Sequence, residues 1–287
     1  MHATTATAPP AAAAAELTRS ALARATPAEV RAAIREGRWT GVTHGMARGH
    51  LQANLAIVPK AYAFDFLRFC LANPKPCPLV EVLDAGDPSP KRCARGADVR
   101  TDLSRYRVFR DGVLVDEVPH LRDHWRDDHV AFLMGCSLSF DQAMIEAGIP
   151  LRHLDDDTGR ISVYRSNLPC EPAGIFHGTM IVSMRPIPSP LLMATIETTA
   201  RHPIAHGAPV HVGDFASIGI DDPAAVYAGR YNPVGPGELP VFWACGVTPQ
   251  SIAMASGVPE MITHASGHLF MTDLTLATAS AAASPYR

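Results

Sequence analysis

Apolar and polar positions recur along the chain at spacings that predict its first elements. Residues 26–29 (TPAE) are typical of a helix start, with Thr at the N-cap and Glu placed to complete a capping box. This helix should end by Gly37. The sequence QANLAIVP at 52–59 alternates and then becomes apolar, which predicts a buried strand. Apolar residues at helical spacing predict a second helix over Tyr62–Cys70.

The middle of the chain predicts a loop, a hairpin and two helices. The stretch 84–102 is rich in Pro and Asp, which indicates a surface loop between two lobes. Asp111-Gly112 separates two apolar runs and predicts a β-hairpin turn. We interpret Asp127–Met134 and Phe140–Ala147 as helices.

The pattern of the second half completes the predicted fold. Short apolar runs and periodic segments predict strands at 79–83, 161–165, 178–184 and 239–244, and helices at Leu191–Ala200 and Pro249–Ala255. This mixture favours an α+β fold with mixed sheets and flanking helices, in one compact unit that could have two lobes. We expect a disordered Ala/Thr/Pro-rich tail at 1–25, one domain at 26–276 and a flexible tail at 277–287.

Composition excludes several classes of protein. With 47% hydrophobic and 18% charged residues the chain is typical of a globular protein, and a net charge of −3 favours no nucleic-acid partner. No apolar run approaches the roughly 20 residues that span a bilayer, so we expect no membrane partner. The start of the chain differs from a secretory signal peptide. Six cysteines without a CxxC pair predict reduced thiols, and we expect a cytoplasmic protein.

Three polar clusters in the last third of the chain indicate a functional pocket. Each places Cys, His, Asp or Thr beside Gly or Pro, where the backbone turns sharply and side chains can converge. The clusters are HGAPVHVGD at 206–214, VFWACGVTPQ at 241–250 and THASGHLFMTD at 263–273. An enzyme is therefore the favoured interpretation, although no cluster alone identifies the reaction.

The first cluster allows two functions. His206, His211 and Asp214 could hold a divalent metal ion, or form an acid/base pair in which Asp214 orients an imidazole. The spacing matches no established metal motif, so the metal stays an open alternative and no cofactor is assigned. A structural role for at least one of the two histidines is also expected.

Candidate catalytic residues in the other clusters are a thiol and an imidazole. Cys245 lies between an apolar strand and a helix that opens at Thr248, where a helix N-terminus lowers a thiol pKa. It could act as nucleophile or acid/base, or be a small buried apolar residue, and Cys136 in another turn has the same alternatives. His264 shares its cluster with His268, in a loop rather than a helix because of the intervening Gly267.

Two arginines at strand ends are candidate carboxylate clamps. Arg165 stands in YRSNLPC together with Asn167, and Arg185 stands in a similar context in SMRP. Either arginine could instead pair with a structural Asp. The candidate substrate-binding residues are therefore Arg165, Asn167, Arg185, Cys136 and Thr248.

The same segments resemble the D-glutamate cyclase-like family of hydro-lyases. The resemblance covers residues 36–275 in order and rests on NPKPCPLVEV (73–82), GCSLSF (135–140), YRSNLPC (164–170), FHGTMIVSMRP (176–186), HGAPVHVGD (206–214), VFWACGVTPQ (241–250) and HASGHLFMTD (264–273). It implies loss of water from an amino diacid, D-glutamate, to form 5-oxo-D-proline. A homodimer is the default for an enzyme of this size.

Cyclisation of an amino diacid requires a base for the ammonium group, donors for the oxyanion, an acid for the departing oxygen and a carboxylate clamp. Under this interpretation Arg185 or Arg165 is the clamp, and His206, His211 or His264 is the base or acid. The turn amides at Cys245 are the oxyanion donors. Two alternatives stay open: a dehydratase of a small hydroxy acid, and a non-catalytic module that binds small acids.

Overall fold

Two antiparallel sheets with flanking helices make up the computed structural model, which describes residues 17–154 and 160–282. The strands are β1 (His50–Pro59), β2 (Leu79–Val82), β3 (Tyr106–Arg110), β4 (Val113–Val118), β5 (His129–Gly135), β6 (Ser162–Pro169), β7 (Thr179–Pro188), β8 (His211–Val212), β9 (Ala228–Gly229), β10 (Glu238–Ala244), β11 (Glu260–His264) and β12 (Phe270–Thr275). The helices are α1 (Arg19–Ala23), α2 (Pro27–Arg35), α3 (Lys60–Ala72), α4 (Asp141–Glu146), α5 (Leu192–Ala200), α6 (Thr248–Ser256) and α7 (Leu276–Ala282). The predicted α+β class is confirmed.

Strand order defines a larger and a smaller sheet. The first sheet has the order β2-β5-β1-β11-β3-β4, with β12 also paired to β1, and the second has the order β8-β10-β7-β6-β9. The central strand β1 changes partner along one of its edges: β11 pairs with Ala56 and Ile57, whereas β12 pairs with Gln52 and Ala53. Asn54 and Leu55 lie at this change of partner, so their edge of β1 is open to side chains.

Both faces of the first sheet are buried. On one face Phe66 and Phe69 of α3 and Ile252 of α6 join the core formed with the strands. On the other face the irregular segment between β2 and β3 contributes Cys93 and Val99 to the core. The stretch predicted as a surface loop between lobes therefore covers the sheet, because its apolar residues alternate with the Pro and Asp residues that suggested exposure.

Several local predictions are confirmed by the structure. Thr26 and Glu29 form the predicted capping box at the start of α2. Asp111 and Gly112 form the hairpin turn between β3 and β4 with φ values of 48° and 77°, the left-handed conformation that this turn requires. All six cysteines are free and buried.

One predicted helix is wrong. Residues 127–134 were expected to be helical, but His129–Gly135 is the strand β5, which lies between β2 and β1 and is buried along its whole length. A strand buried on both faces is apolar at every position, so its sequence does not show the alternation that separates a strand from a buried helix.

The ordered fold also extends beyond the predicted domain limits. Residues 19–23, predicted as part of a disordered tail, form α1 and bury Leu22. Residues 277–282, predicted as part of a flexible tail, belong to α7, where Ala279 packs in the core of the second sheet. The rest of the two tail predictions, at 1–16 and 283–287, lies outside the described residues. No helix within 17–154 or 160–282 has the length and apolar character needed to cross a membrane.

Candidate active site

A cavity of about 280 Å³ lies where the two sheets meet. The first sheet contributes β1, the end of β11 and the turn after β5, and the second contributes β6, β9 and the turn after β10. The reactive or charged side chains that line it are His44, Arg107, Cys136, Arg160, Cys245, His264 and His268. Three of the ten predicted site residues, Cys136, Cys245 and His264, are thus brought together here.

Cys245 lies at the predicted turn between the strand β10 and the helix α6. Burial raises the pKa of its thiol to about 11, although the backbone amides of Val247 and Gly246 and the charge of Arg185 act in the opposite direction. The Oγ1 atom of Thr248 donates to the Cys245 carbonyl at 2.6 Å, which secures the turn. Cys245 is therefore a protonated thiol at the cavity wall, suited to donate a proton.

Cys136 occupies an equivalent turn after β5. Burial and the neighbouring Cys245 raise the pKa of its thiol to about 12, while the amide of Leu138 and the charge of Arg185 lower it. Each sheet thus places one cysteine at the end of a strand, with the following backbone amide directed at its sulfur.

The side chain of Asn54 holds the two cysteine turns together. Its Nδ2 atom donates to the carbonyl of Gly135 at 2.7 Å. A Cβ atom at Gly246 would lie only 1.9 Å from the same Nδ2 atom, so the turn after Cys245 fits directly against this amide. A side chain at position 246 would therefore force either the Asn54 amide or the turn of Cys245 to move.

His264 fills the open edge of β1. Its Nδ1 atom lies 3.2 Å from the amide nitrogen and 3.3 Å from the carbonyl oxygen of Leu55, so the backbone can hold either tautomer. Burial lowers the pKa of His264 to about 4, an effect that the hydrogen bond to Leu55 partly offsets and the charge of Arg107 increases. The ring is therefore neutral near pH 7.

Two further histidines, absent from the predicted site, line the same cavity. His44 is held by Arg19, and burial together with the Arg19 charge lowers its pKa to about 3. His268 lies 2.8 Å from the hydroxyl of Ser104, and burial together with the charge of Arg105 lowers its pKa to about 4. Thr272 and Asp273, which follow His268 closely in the sequence, bind the Leu51 carbonyl and Arg31 and not these rings.

The charge of the cavity wall is entirely positive among the described residues. Arg107 donates to Glu117 at 3.0 Å and to Gln250 at 3.1 Å, and Gln250 in turn donates to the carbonyl of His264 at 2.7 Å. Arg160 lies at the wall before β6, and its charge contributes to lowering the pKa of both His44 and His268. No Asp or Glu from the described part of the chain lines this cavity.

Arg185, predicted as a clamp, is buried behind the cavity. Its guanidinium group donates to Asp141 at 2.8 Å and stacks near the rings of Phe140 and Trp243. The other oxygen of Asp141 lies 2.8 Å from Nε2 of His153. Arg185 therefore belongs to a buried ion pair, from which its charge acts on both cavity thiols.

His206 is also buried outside the cavity wall. Its Nδ1 atom donates to the carbonyl of Lys75, so the proton is on Nδ1, and Nε2 has no hydrogen-bond partner among the described residues. Burial lowers the pKa of His206 to about 4. Its backbone has a φ value of 74°, which closes the short helical turn before it.

His211 and Asp214 stabilise a surface turn at the edge of the second sheet. The Nε2 atom of His211 donates to the backbone carbonyl of Asp214 at 2.8 Å, so the carboxylate does not orient the ring. That carboxylate instead accepts from the amides of Ala216 and Ser217, which lower its pKa together with the Ser217 hydroxyl. The structure brings neither residue to the cavity.

The other predicted binding residues support the site from outside. Arg165 is exposed and lies 4.4 Å over the ring of Tyr227, which lines the cavity. Asn167 packs against Gly219, and Thr248 is fully buried in the turn of Cys245. A buried amide in the apolar run 52–59 was the signal that could have identified Asn54. The remaining missed residues, His44, Arg107 and Arg160, lie in segments that look like ordinary loops and strands.

No group of three or more His, Cys, Asp or Glu side chains suitable for a metal ion occurs within 17–154 and 160–282. His206 is buried against the Lys75 carbonyl, whereas His211 and Asp214 stabilise a surface turn, so the three side chains do not converge on one point. The donor set of these three residues therefore does not fit a metal ion.

Comparisons with known proteins agree with the resemblance of the motifs. The family model for D-glutamate cyclase matches residues 130–273. A protein of Thermoanaerobacter sp. strain X514 is 52% identical over 86% of this chain and 93% of its own length. The YcsI protein of Bacillus subtilis is 49% identical over 86% of this chain and 96% of its own length. Both carry the name "Putative hydro-lyase".

A solved structure, a nitrogen repressor-like protein MJ0159 from Methanococcus jannaschii, covers 82% of this chain with a TM-score of 0.36 and 11% identity, which is too distant to carry an argument. The relatives, by contrast, match 86% of this chain, and the residues matched by the family model include both cysteine turns and the His264 strand. The chain therefore belongs to the D-glutamate cyclase family of hydro-lyase-like proteins.

Proposed function

We propose that this protein is a hydro-lyase that interconverts D-glutamate and 5-oxo-D-proline in the cavity between the two sheets. The observation that carries the proposal is the cavity wall itself, which combines two arginines, neutral histidines and two thiols and has no described acidic side chain. A small diacid is the ligand whose charge this wall complements. The volume of about 280 Å³ suits a molecule of that size.

The clamp consists of Arg107 and Arg160 rather than Arg165 and Arg185. Glu117 and Gln250 already bind two nitrogen atoms of Arg107, which fixes the orientation of its guanidinium group and leaves its third nitrogen for a carboxylate. Arg160 supplies the second positive charge at the wall. Two carboxylates held in this way would keep the chain of the diacid folded, with its amine close to its γ-carboxyl carbon.

The reaction requires the transfer of two protons. The ammonium group of D-glutamate loses both, nitrogen bonds to the γ-carbon, and one γ-carboxyl oxygen leaves with those protons as water. His264 suits this transfer because Leu55 can hold either of its tautomers, so Nε2 can accept a proton and release it without movement of the ring. The carboxylates of a bound diacid would also raise the pKa of His264 from about 4 towards neutrality.

Cys245 is assigned as the acid that protonates the departing oxygen. Its pKa of about 11 favours a thiol donor over a thiolate nucleophile, and a carboxylate is a poor acyl donor without activation. Cys136 completes the wall on the side of the first sheet. Replacement of Cys245 by Ser should retain part of the activity and replacement by Ala should abolish it, whereas a trapped thioester would identify a nucleophile instead.

The direct test is incubation of the purified protein with D-glutamate, L-glutamate and 5-oxo-D-proline, followed by mass spectrometry for the loss or gain of one water. Product from the D-isomers alone supports the proposal. Turnover of hydroxy acids to unsaturated products, with none of the lactam, would support the dehydratase alternative. Binding of the acids without any turnover would support a non-catalytic module.

A further inference from the structure

A second cavity, of about 420 Å³, lies beside the active-site cavity and has no part in the function proposed above. The two cavities have a common wall formed by His44 and Leu138. Gln52 and Asn54 are two positions apart on β1, so their side chains emerge from the same face, roughly 7 Å apart along the strand. Gln52 lines the second cavity and Asn54 the first, which places the cavities side by side.

The charges of the second cavity favour an anion. Arg19 of α1 and Arg48 line it, and the Arg48 side chain is exposed without a hydrogen bond or ion pair to any described residue. Asp141 is the acidic side chain at this wall among the described residues. Both of its oxygens are already engaged, by Arg185 and by His153, so it does not compete for Arg48.

A buried acceptor in the same cavity indicates what else the ligand carries. The side chain of Gln52 is 3% exposed, and its Oε1 atom has no hydrogen-bond partner among the described residues. Its Nε2 atom donates to the carbonyl of Met46 at 3.4 Å, which orients the amide. A buried carbonyl oxygen without a donor is destabilising, and an N–H group on a ligand would satisfy it.

We propose that the second cavity is a binding site for a small carboxylic acid that carries an N–H group, such as an amino diacid or its lactam. The identity of this ligand class rests on the proposed function, because D-glutamate and 5-oxo-D-proline both belong to it. Arg48 and Arg19 bind the carboxylate, and Gln52 accepts from the N–H group.

The common wall gives this site a route to the active site. Arg19 donates to the carbonyl of His44 at 2.8 Å and lies 3.4 Å from its Nε2 atom, so the ring accepts there and carries its proton on Nδ1. A carboxylate bound to Arg19 changes the position and charge of the group that holds His44. Occupation of the second cavity therefore acts on a side chain of the first.

Calorimetric titration of the full-length protein with D-glutamate and with 5-oxo-D-proline tests the site. We expect two equivalents of ligand, and we expect Arg48→Ala to weaken one of them about tenfold or more while the other is retained. Arg92→Ala is the matched control, because Arg92 is exposed and lines neither cavity. Arg107→Ala should weaken the other equivalent.

A second pair of measurements examines the N–H group. Glutarate, which has no N–H group, should bind the second cavity more weakly than D-glutamate, and Gln52→Met should remove that difference. Thermal melting of each variant verifies that it is folded. Equal binding of the two acids to the folded wild-type protein would overturn the role of Gln52.

The two proposals fail in different ways. A single equivalent that Arg48→Ala leaves unchanged overturns the second site and leaves the proposed reaction standing. Two equivalents without turnover support the second site and contradict the proposed reaction. No binding of either acid overturns the second site.

Discussion

The segments 206–214 and 241–250 look alike in sequence but have different environments in the fold. Both place a reactive side chain beside glycine near a short strand of the second sheet. In the first segment His206 is buried against the Lys75 carbonyl, and residues 211–214 hydrogen-bond to nearby backbone: His211 to Asp214, and Asp214 to the amides that follow it. The second segment ends a central strand at the contact with the first sheet, where Cys245 meets Cys136 and His264 at one cavity.

The difference shows that polar residues at a turn indicate function only when the turn faces residues from another part of the chain. At the edge strand β8 the turn faces solvent, and its polar groups are satisfied locally. At the end of β10 the turn packs against Asn54, which lies almost 200 positions earlier, and its thiol lines a cavity that distant segments share. Neighbours from distant parts of the chain thus distinguish the turn of Cys245, a catalytic candidate, from the structural turn at β8.

The largest expected effect is on turnover. His264→Asn removes the ring that transfers protons, so kcat for conversion of D-glutamate should fall about 10²–10⁴-fold. The control His211→Asn changes a histidine at the surface turn and should stay within about twofold of the wild type. Steady-state kinetics of both variants measures this contrast, and an equal loss in the two would place the segment 206–214 in the active site.

Loss of the buried ion pair between Arg185 and Asp141 should have the largest effect on the free energy of unfolding among these variants. Asp141→Asn leaves the guanidinium group of Arg185 without its counter-charge, which we expect to cost about 3–5 kcal/mol in the free energy of unfolding. Asp214→Asn, at an exposed turn, should cost much less. Urea denaturation of the two variants provides the measurement, and a small loss for Asp141→Asn would show that water reaches this pair.

Arg107, at the cavity wall, and Arg165, outside it, should differ in how much they contribute to substrate binding. Arg107→Ala removes a clamp at the cavity wall, so KM for D-glutamate should rise about 10–100-fold with a smaller change in kcat. Arg165→Ala removes only the cation that stacks on Tyr227 from outside and should change KM little. If Arg165→Ala had the larger effect on KM, the assignment of the clamp would have to be reversed.

A smaller effect is expected in the pH dependence of stability. The folded state keeps His206 neutral with a pKa of about 4, against 6.5 for an unperturbed histidine, so the unfolded chain binds the proton first as pH falls. Stability is therefore intact above pH 6.5 and is lost as pH falls towards 4. Between pH 7 and pH 5 this one residue should contribute a loss of roughly 1–2 kcal/mol.

His206→Asn tests this prediction, since Asn tolerates the left-handed backbone at this position and does not titrate. Urea midpoints at pH 7 and pH 5 should differ less in this variant than in the wild-type protein. An unchanged difference would assign the acid sensitivity to the cavity histidines, His44, His264 and His268, whose pKa values are also lowered by burial.

The arginines show why the clamp was not predictable from sequence. The sequence places Arg185 and Arg165 near predicted strand ends beside Ser or Pro, yet one faces a buried aspartate and the other a tyrosine ring. Arg107 lies on an ordinary hairpin strand, and only the pairing of β3 with β11 carries it to the cavity. Strand pairing between distant segments is not encoded in local spacing.

Local rules determined much of the secondary structure from sequence alone, because they act within a few residues. The capping box of α2, the hairpin at Asp111-Gly112 and the turn that carries Cys245 all depend on nearby hydrogen bonds and backbone conformation. The motifs also determined the family. The tertiary structure decided which polar residues meet. Cys136, Cys245 and His264 line one cavity because burying both faces of two sheets brings their strand ends together, a consequence of long-range packing rather than of local sequence.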